Sequence, residues 1–227
     1  MATRGVLTGA ALLLASAHCW SSGTQTVPDG YTKVAREHGV PPEALYSVAL
    51  QESSRTLPRG VRPWPWTLNV AGRGYRYKTR LEAWQALQVF MKTHSLKRID
   101  VGIAQVNLGW NGSHFTSTWE ALDPYTNLNA AAVILRECWD RKPGSWLDAA
   151  GCYHHPAGGQ AAARYRSFIR TKLATLQSPP LQPAPASAQL ADNTPAPAPV
   201  QLADNTPAPA ATSSTGFVWI EPRSPQP

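Results

Sequence analysis

The sequence lacks an apolar run long enough to hold the protein in a bilayer. Its uncharged stretch at 6–17 ends in Ala15-Ser-Ala17, the small-x-small pattern of a signal-peptidase site. A membrane-spanning helix needs about 20 apolar residues. We therefore interpret residues 1–17 as a signal peptide and expect a periplasmic or secreted protein with no stable membrane anchor.

Residue spacings typical of metal, nucleotide or nucleic-acid sites are also missing. His154 and His155 are adjacent rather than spaced as a zinc pair on one helix face, and no Asp-x-Asp-x-Asp-Gly loop is present. Gly72-x-Gly74 has neither a long preceding strand nor a Walker lysine. Basic residues are spread along the chain without a recognisable nucleic-acid motif. We expect no metal, no cofactor and no nucleic-acid partner.

Acidic residues are scarce, with 14 Asp and Glu against 21 Lys and Arg, which gives a net charge of +7. This excess of positive charge suits an anionic partner such as nucleic acid, a membrane surface or an acidic cell-wall polymer. The charge alone does not distinguish among these partners. A chain of 227 residues can bury one sizeable core. Most of the nine tryptophans should belong to that core.

Only three cysteines are present. Export to an oxidising compartment favours disulfides. Cys138 and Cys152 lie on two successive predicted helices joined by Lys142-Pro-Gly144, and a tight helical hairpin would bring them within bridging distance. We predict this disulfide, with two buried free thiols as the alternative. Cys19 is left over, and since it follows His18 rather than a small residue, we do not expect lipidation.

One carboxylate falls on an apolar helix face. Leu45, Val48 and Ala49 recur at helical spacing, and the next position on that face is Glu52. A glutamate turned toward a core or cleft loses hydration, which raises its pKa and lets it act as a general acid near neutral pH. The alternative is a frayed last turn with Glu52 in solvent.

The chain reads as mainly α, with one small β-hairpin. The hairpin is predicted within Arg59 to Tyr77, with its turn at Ala71-Gly-Arg-Gly74, and we expect its Trp64 and Trp66 to line a substrate groove. Capping and proline signals predict helices at 28–39, from Pro41-Pro42 through Glu52, at 79–94, from Asn127 as cap to Asp140, from Ser145 through His154, and at 160–176.

The composition changes at Ser178 to Pro, Ala, Gln and Thr, and the segment Gln189 to Ala198 recurs at Gln201 to Ala210. Such a segment has too little apolar surface to offset chain entropy, so we expect residues 178–227 to be a disordered tail. Phe217-Val-Trp-Ile220 is an apolar exception, either a sticky disordered end or a docking peptide.

Four motifs occur in an order that resembles the family-one lytic transglycosylases, the soluble-lytic-transglycosylase type with a lysozyme-like fold. They are Glu52-Ser53, Gly102-Ile-Ala-Gln105 followed by Asn107, the helix from Asp123-Pro124 to Leu135, and Cys152-Tyr-His154. The resemblance covers about residues 28–176, within a domain that we place at 18–177. The tryptophan-rich hairpin and the proline-rich tail resemble members encoded with conjugation and type IV secretion machinery, which open local gaps in peptidoglycan.

The resemblance implies a role for each matched residue. Glu52 is the single catalytic acid and base, and Ser53 helps to hold it. Gly102 and Gln105, with Asn107 nearby, shape the cleft floor and contact the sugar, and Tyr153 faces the glutamate. His154 stands where the family has asparagine, so it either replaces that residue as a hydrogen-bond donor or has no role.

The implied reaction cleaves the bond between N-acetylmuramic acid and N-acetylglucosamine. Glu52 protonates the glycosidic oxygen and then takes a proton from the muramyl 6-hydroxyl, which forms a 1,6-anhydro sugar without water. Two alternatives stay open. A lysozyme-type hydrolase would use Asp100 as second carboxylate, although the favoured interpretation of Asp100 is a solvated loop aspartate. An inactive peptidoglycan-binding scaffold would keep Glu52 only for a salt bridge and recruit secretion proteins through its tail.

Overall fold

A computed structural model describes residues 24–177. The predicted signal peptide, Cys19 and the proline-rich tail lie outside the described residues. The helices are α1 (Asp29–Glu37), α2 (Pro42–Ser53), α3 (Arg80–Thr93), α4 (Leu108–Asn111), α5 (Pro124–Arg141), α6 (Trp146–His154) and α7 (Gly159–Leu173). The strands are β1 (Gln25–Thr26), β2 (Ser54–Leu57), β3 (Gly60–Pro63), β4 (Thr67–Val70), β5 (Arg73–Arg76), β6 (Ile99–Val101), β7 (Val106–Asn107) and β8 (Leu176–Gln177).

The described part is mostly helical with small antiparallel sheets, which confirms the predicted mainly α class. One hydrophobic core joins α1, α2, α5, α6 and α7. At its centre α2 buries Leu45, Val48 and Ala49, the face on which the sequence places Glu52. A parallel pairing of β1 with β8 ties the two ends of the described region together. None of the described helices has the length and apolar character needed to cross a membrane.

The helix containing Asn127 begins at Pro124, as the motif from Asp123-Pro124 to Leu135 has it, rather than after Asn127 as the capping signal predicted. Asp123 is the N-cap of α5, because its Oδ1 accepts hydrogen bonds from the backbone N–H groups of Tyr125 and Thr126, and Pro124 occupies the first helical position. The prediction of Asn127 as cap is therefore wrong. Asn127 is instead buried within the second turn, where its amide bonds to other segments.

The second core lies between a four-stranded antiparallel sheet, in the order β5-β4-β6-β7, and α3. The hairpin of β4 and β5 turns at Ala71 and Gly72, which have φ angles of 54° and 87°, as the glycine-bearing turn predicted. A further hairpin of β2 and β3 was not predicted. Its residues Ser54 to Pro63 directly follow the end of α2, which carries Glu52, and lead into the four-stranded sheet at β4.

Trp64 and Trp66 belong to this second core. Their exposed fractions are 0% and 3%, and the Trp64 indole N–H donates to the carbonyl oxygen of Tyr77. The prediction that these two rings line a substrate groove is wrong, because each packs under the sheet among the apolar side chains of β4 and α3. Aromatic content alone cannot distinguish a packed ring from an exposed one.

The predicted disulfide between Cys138 and Cys152 is confirmed. It joins α5 to α6, and the two Cα atoms lie 5.8 Å apart. Ser145 caps α6 as predicted, since its hydroxyl accepts a hydrogen bond from the N–H of Asp148. The cap fixes the start of α6, and the bridge fixes its last turn, which carries Tyr153 and His154.

Candidate active site

A cleft of about 710 Å³ separates the sheet from the helices α5 and α6. Asn69 and Asp100 line it from the sheet side, whereas Tyr153 and His154 line it from α6. A neighbouring recess of about 360 Å³ lies against α7. Glu52 and His154 line both spaces, so Glu52 stands where they adjoin. A polymer that occupied both would pass over this carboxylate.

Ser53 fixes the end of α2 that carries Glu52. The Ser53 side chain is fully buried, and its hydroxyl donates to the carbonyl oxygen of Ile103 at 2.6 Å while accepting from the N–H of Trp64 at 3.2 Å. These bonds join α2 to the segment between β6 and β7 and to the link between β3 and β4. Since Ser53 is buried, it positions Glu52 and does not contact a ligand in the cleft.

Glu52 itself is half-buried, and burial raises the pKa of its carboxyl group to about 7. The Tyr165 hydroxyl donates a 2.6 Å hydrogen bond to Glu52 Oε1, which lowers the pKa by stabilising the carboxylate. The negative charge of Asp100 raises it. Near neutral pH both protonation states of Glu52 are therefore populated, as a group that gives and then takes a proton requires.

The segment from Gly102 to Gln105 lies beneath the cleft, around a buried asparagine. Gln105 lines the cleft, whereas Gly102 is buried and does not, so the prediction that Gly102 contacts the sugar is wrong. Asn127 Oδ1 accepts from the N–H of Ala104, and its Nδ2 donates to the carbonyl oxygens of Val101 and Ala121, each at 2.9 Å. Gly102 has φ +83°, and a Cβ there would lie 2.4 Å from Asn127 Nδ2. Glycine is required at position 102 because of this positive φ angle and because a side chain would collide with Asn127.

Gln105 and Tyr153 both line the cleft and bond to backbone carbonyl groups beneath it. Gln105 Nε2 donates to the carbonyl oxygens of Thr67 and Gly102, at 3.0 and 2.8 Å. The Tyr153 hydroxyl donates to the carbonyl oxygen of Ala104 at 2.7 Å. Tyr153 therefore supports the floor beside Glu52, while the hydrogen bond to Glu52 comes from Tyr165.

Asp100, on β6, is held by two amides in the same cleft. Asn69 Nδ2 donates to Oδ2 at 3.0 Å, and Asn107 Nδ2 donates to Oδ1 at 2.7 Å. Burial raises the pKa of Asp100, and both hydrogen bonds lower it. Asp100 is thus a half-buried cleft residue rather than a solvated loop aspartate, and Asn107 acts on it directly.

The His154 ring stacks on the Tyr165 ring. Their centroids lie 4.4 Å apart and their planes differ by 6°. Burial lowers the pKa of His154, with a smaller contribution from His155, which favours the neutral imidazole. His154 therefore contacts the residue that donates to Glu52, and it lines the cleft at the same time.

Sequence reasoning missed Tyr165, Asn127 and Asn69 as parts of this site. Tyr165 falls on the buried face of α7 with Ala162 and Ile169, so its spacing is that of an ordinary core residue. Asn127 had a visible signal, since a polar residue among the apolar positions of α5 needs hydrogen-bond partners. Asn69 lies between the buried residues Leu68 and Val70 on β4 and carries no signal of its own.

Comparisons with protein-family models, with curated proteins and with solved structures find no match to this chain. Within residues 24–177, no three His, Cys, Asp or Glu side chains come together in a way that would hold a metal ion. The chemistry of the site therefore depends on Glu52, its hydrogen-bond partners and the shape of the cleft.

Proposed function

We propose that this chain is a peptidoglycan lytic transglycosylase that cleaves the β-1,4 bond between N-acetylmuramic acid and N-acetylglucosamine. The observation that carries the proposal concerns the Glu52 carboxyl group. It is half-buried, has a pKa of about 7 and lines both the cleft and the neighbouring recess. A group titrating at the working pH is suited to acid and base catalysis in turn. The motif resemblance supplies the substrate class.

In the first step, protonated Glu52 donates its proton to the glycosidic oxygen as the bond to the muramyl C1 breaks. Positive charge develops on the muramyl ring, and the carboxylate of Asp100, which lines the same cleft, is placed to stabilise it. The hydrogen bonds from Asn107 and Asn69 favour this charged form, against the larger effect of burial, which raises the pKa of Asp100.

In the second step, the Glu52 carboxylate removes the proton of the muramyl 6-hydroxyl, whose oxygen bonds to C1. The product is a 1,6-anhydromuramyl end, Glu52 regains its proton, and no water is consumed. The Tyr165 hydroxyl stabilises the carboxylate between the two steps. One glutamate performs both transfers because the substrate supplies its own nucleophile.

We also infer that the fold is of the lysozyme-like type. A helix that ends in the catalytic glutamate leads into the strands, and the cleft lies between a small antiparallel sheet and a helical body. The resemblance to members encoded with conjugation and type IV secretion machinery supports a role in local wall opening, with export through the N-terminal segment and recruitment of apparatus proteins through the tail.

Hydrolysis is the second candidate, and the position of Asp100 favours it. A lysozyme-type hydrolase needs a second carboxylate across the bond, and Asp100 lines the cleft with Glu52. Both Asp100 oxygens, however, already accept amide hydrogen bonds, which occupy positions that a base would need, although burial raises the pKa of Asp100. The inactive scaffold has less support, because no lysine or arginine among the described residues forms a salt bridge with Glu52.

Mass spectrometry of the muropeptides released from purified sacculi tests the proposal. The wild-type products should carry 1,6-anhydro ends, lighter by one water than hydrolytic products. Glu52→Gln should lower the rate by about 10²- to 10⁴-fold or more, the range for lost acid and base help. The exposed Glu37→Gln on α1 is the matched control and should retain the wild-type rate.

Asp100→Asn distinguishes the two enzyme mechanisms. It should be far milder than Glu52→Gln, since only charge stabilisation is lost. Reducing ends together with a severe Asp100→Asn defect would establish hydrolysis instead. An active Glu52→Gln protein would exclude both enzyme mechanisms, and a folded wild-type protein that binds sacculi without releasing products would identify a scaffold.

A further inference from the structure

A third recess, of about 430 Å³, adjoins the cleft at Trp110. Trp110 lines both the cleft and this recess, and 68% of its surface is exposed. Among the described residues that line the recess are Met91, Leu96, Leu108, Phe115, Ser117 and Thr118. A ligand that leaves the cleft on this side would pass over the indole ring.

The position of Trp110 is fixed by the same network that holds Asp100. Asn107 caps α4, with its Oδ1 accepting from the N–H groups of Gly109 and Trp110, while its Nδ2 donates to Asp100. Lys97 Nζ lies over the ring, 4.0 Å from its centroid. A Cβ on Gly109 would lie 2.4 Å from the backbone nitrogen of Lys97, so glycine permits this close approach. The ring is therefore held in place although it is exposed.

The chemistry of the recess suits a neutral ligand with both apolar and hydroxyl surfaces. The described side chains lining it are apolar or carry a hydroxyl group, and none is charged. Sugars meet this description, because a pyranose ring has an apolar face and a rim of hydroxyls. A single-stranded nucleic acid would also stack on an aromatic ring, but it needs a basic groove along its phosphates, which the described lining of this recess does not provide.

We propose that Trp110 and this recess form a distal sugar-binding site for the glycan strand that occupies the cleft. A pyranose ring stacks on the indole face opposite Lys97, and the next sugar enters the recess. The inference rests on the proposed function, in which the cleft binds an N-acetylated glycan. Its consequence is that long strands bind more tightly than short ones.

Calorimetric titration of the full chain carrying Glu52→Gln, which prevents turnover, tests the site. The probes are N-acetylglucosamine oligomers from the disaccharide to the hexasaccharide. The measured quantity is the ratio of hexasaccharide to disaccharide affinity. Adding Trp110→Ala should lower this ratio about tenfold, the order of loss for removing one stacking side chain. Trp110→Tyr should retain most of it, because an aromatic face remains.

Trp119→Ala is the matched control. Trp119 is also exposed, at 39%, and has a cation over its ring, since the Arg80 guanidinium lies 4.3 Å from its centroid, yet it lines none of the three spaces. Its loss should leave the ratio unchanged.

An unchanged ratio in Trp110→Ala, or equal losses in both variants, would overturn the distal site alone. Tight binding of oligothymidylate that Trp110→Ala abolishes would show a nucleic-acid surface instead. No binding of any oligomer by the parent, combined with no cleavage by the wild type, would overturn the proposed function and this site together.

Discussion

The Tyr165 hydroxyl donates a hydrogen bond to Glu52 Oε1 across 2.6 Å, although the two residues are 113 positions apart in the chain. Tyr165 lies on the buried face of α7, and Glu52 ends α2. Their contact couples the last described helix to the carboxyl group that we propose to be catalytic. It also makes the pKa of Glu52 depend on a residue that has no charge at neutral pH.

Tyr165→Phe should move the pH dependence of cleavage toward higher pH. The hydroxyl lowers the pKa of Glu52, so its removal raises that pKa and keeps Glu52 protonated to higher pH. The limb of the kcat/KM profile that reports loss of the protonated acid should shift accordingly. Tyr75→Phe, on β5, is the control and should not move it. A profile unchanged by Tyr165→Phe would contradict the assignment of this limb to Glu52.

His154 should act through its ring plane, because it stacks on Tyr165. His154→Phe keeps an aromatic plane and should retain most of the activity, whereas His154→Ala should lose about tenfold through misplacement of the Tyr165 hydroxyl. The alkaline limb should shift in His154→Ala as it does in Tyr165→Phe. Equal rate losses in both His154 variants with no shift would indicate that an imidazole nitrogen contacts the substrate.

Glu52→Gln should make the fold less sensitive to pH. The pKa of Glu52 is raised by folding from 4.5 to about 7, so the folded state binds the proton more tightly than the unfolded state. As the pH rises from 4.5 to about 7, the free energy of unfolding of the wild type should therefore fall, with a contribution of up to about 3 kcal/mol from this group. Urea unfolding at pH 4 and pH 8 should show a smaller difference in Glu52→Gln, and Glu37→Gln should behave as wild type. A difference equal to that of the wild type would refute the raised pKa.

Asn127→Leu should be strongly destabilising. Its three hydrogen bonds to Val101, Ala104 and Ala121 would be lost, which leaves buried backbone groups unpaired at about 1–3 kcal/mol each. We expect a loss of at least about 3 kcal/mol in urea unfolding. Asn129→Leu, a half-buried neighbour on the same helix, should cost less. Similar losses in the two variants would show that Asn127 does not organise the cleft floor.

Removing the disulfide should lower both stability and activity. Replacing Cys138 and Cys152 by alanine should reduce the free energy of unfolding by about 3 kcal/mol, because the bridge closes a loop with a sequence separation of 14. Tyr153 and His154 follow Cys152 on α6, so their positions should also loosen. Reductant should mimic the double variant and have no further effect on it. An equally stable double variant would contradict a structural role for the bridge.

Much of the local structure follows from the sequence. The Cys138 and Cys152 pairing, the turn at Ala71 and Gly72 and the cap at Ser145 are confirmed, because each depends on residues close together in the chain. Asn127 shows where such reasoning fails. Asn and Asp both suit a helix cap. Asp123, followed by Pro124, takes that role through local hydrogen bonds, and the packing of α5 against other segments buries Asn127.

The sequence by itself determined that Glu52 ends an apolar helix, since that pattern depends only on helical spacing. Only the tertiary structure decided which residues surround it. Tyr165 comes from α7, Asp100 from β6, and Trp64 turns into a core rather than toward the cleft. The physical reason is that desolvation and hydrogen bonding, which set the pKa of Glu52, arise from contacts between segments far apart in the chain, and such contacts leave no local pattern in the sequence.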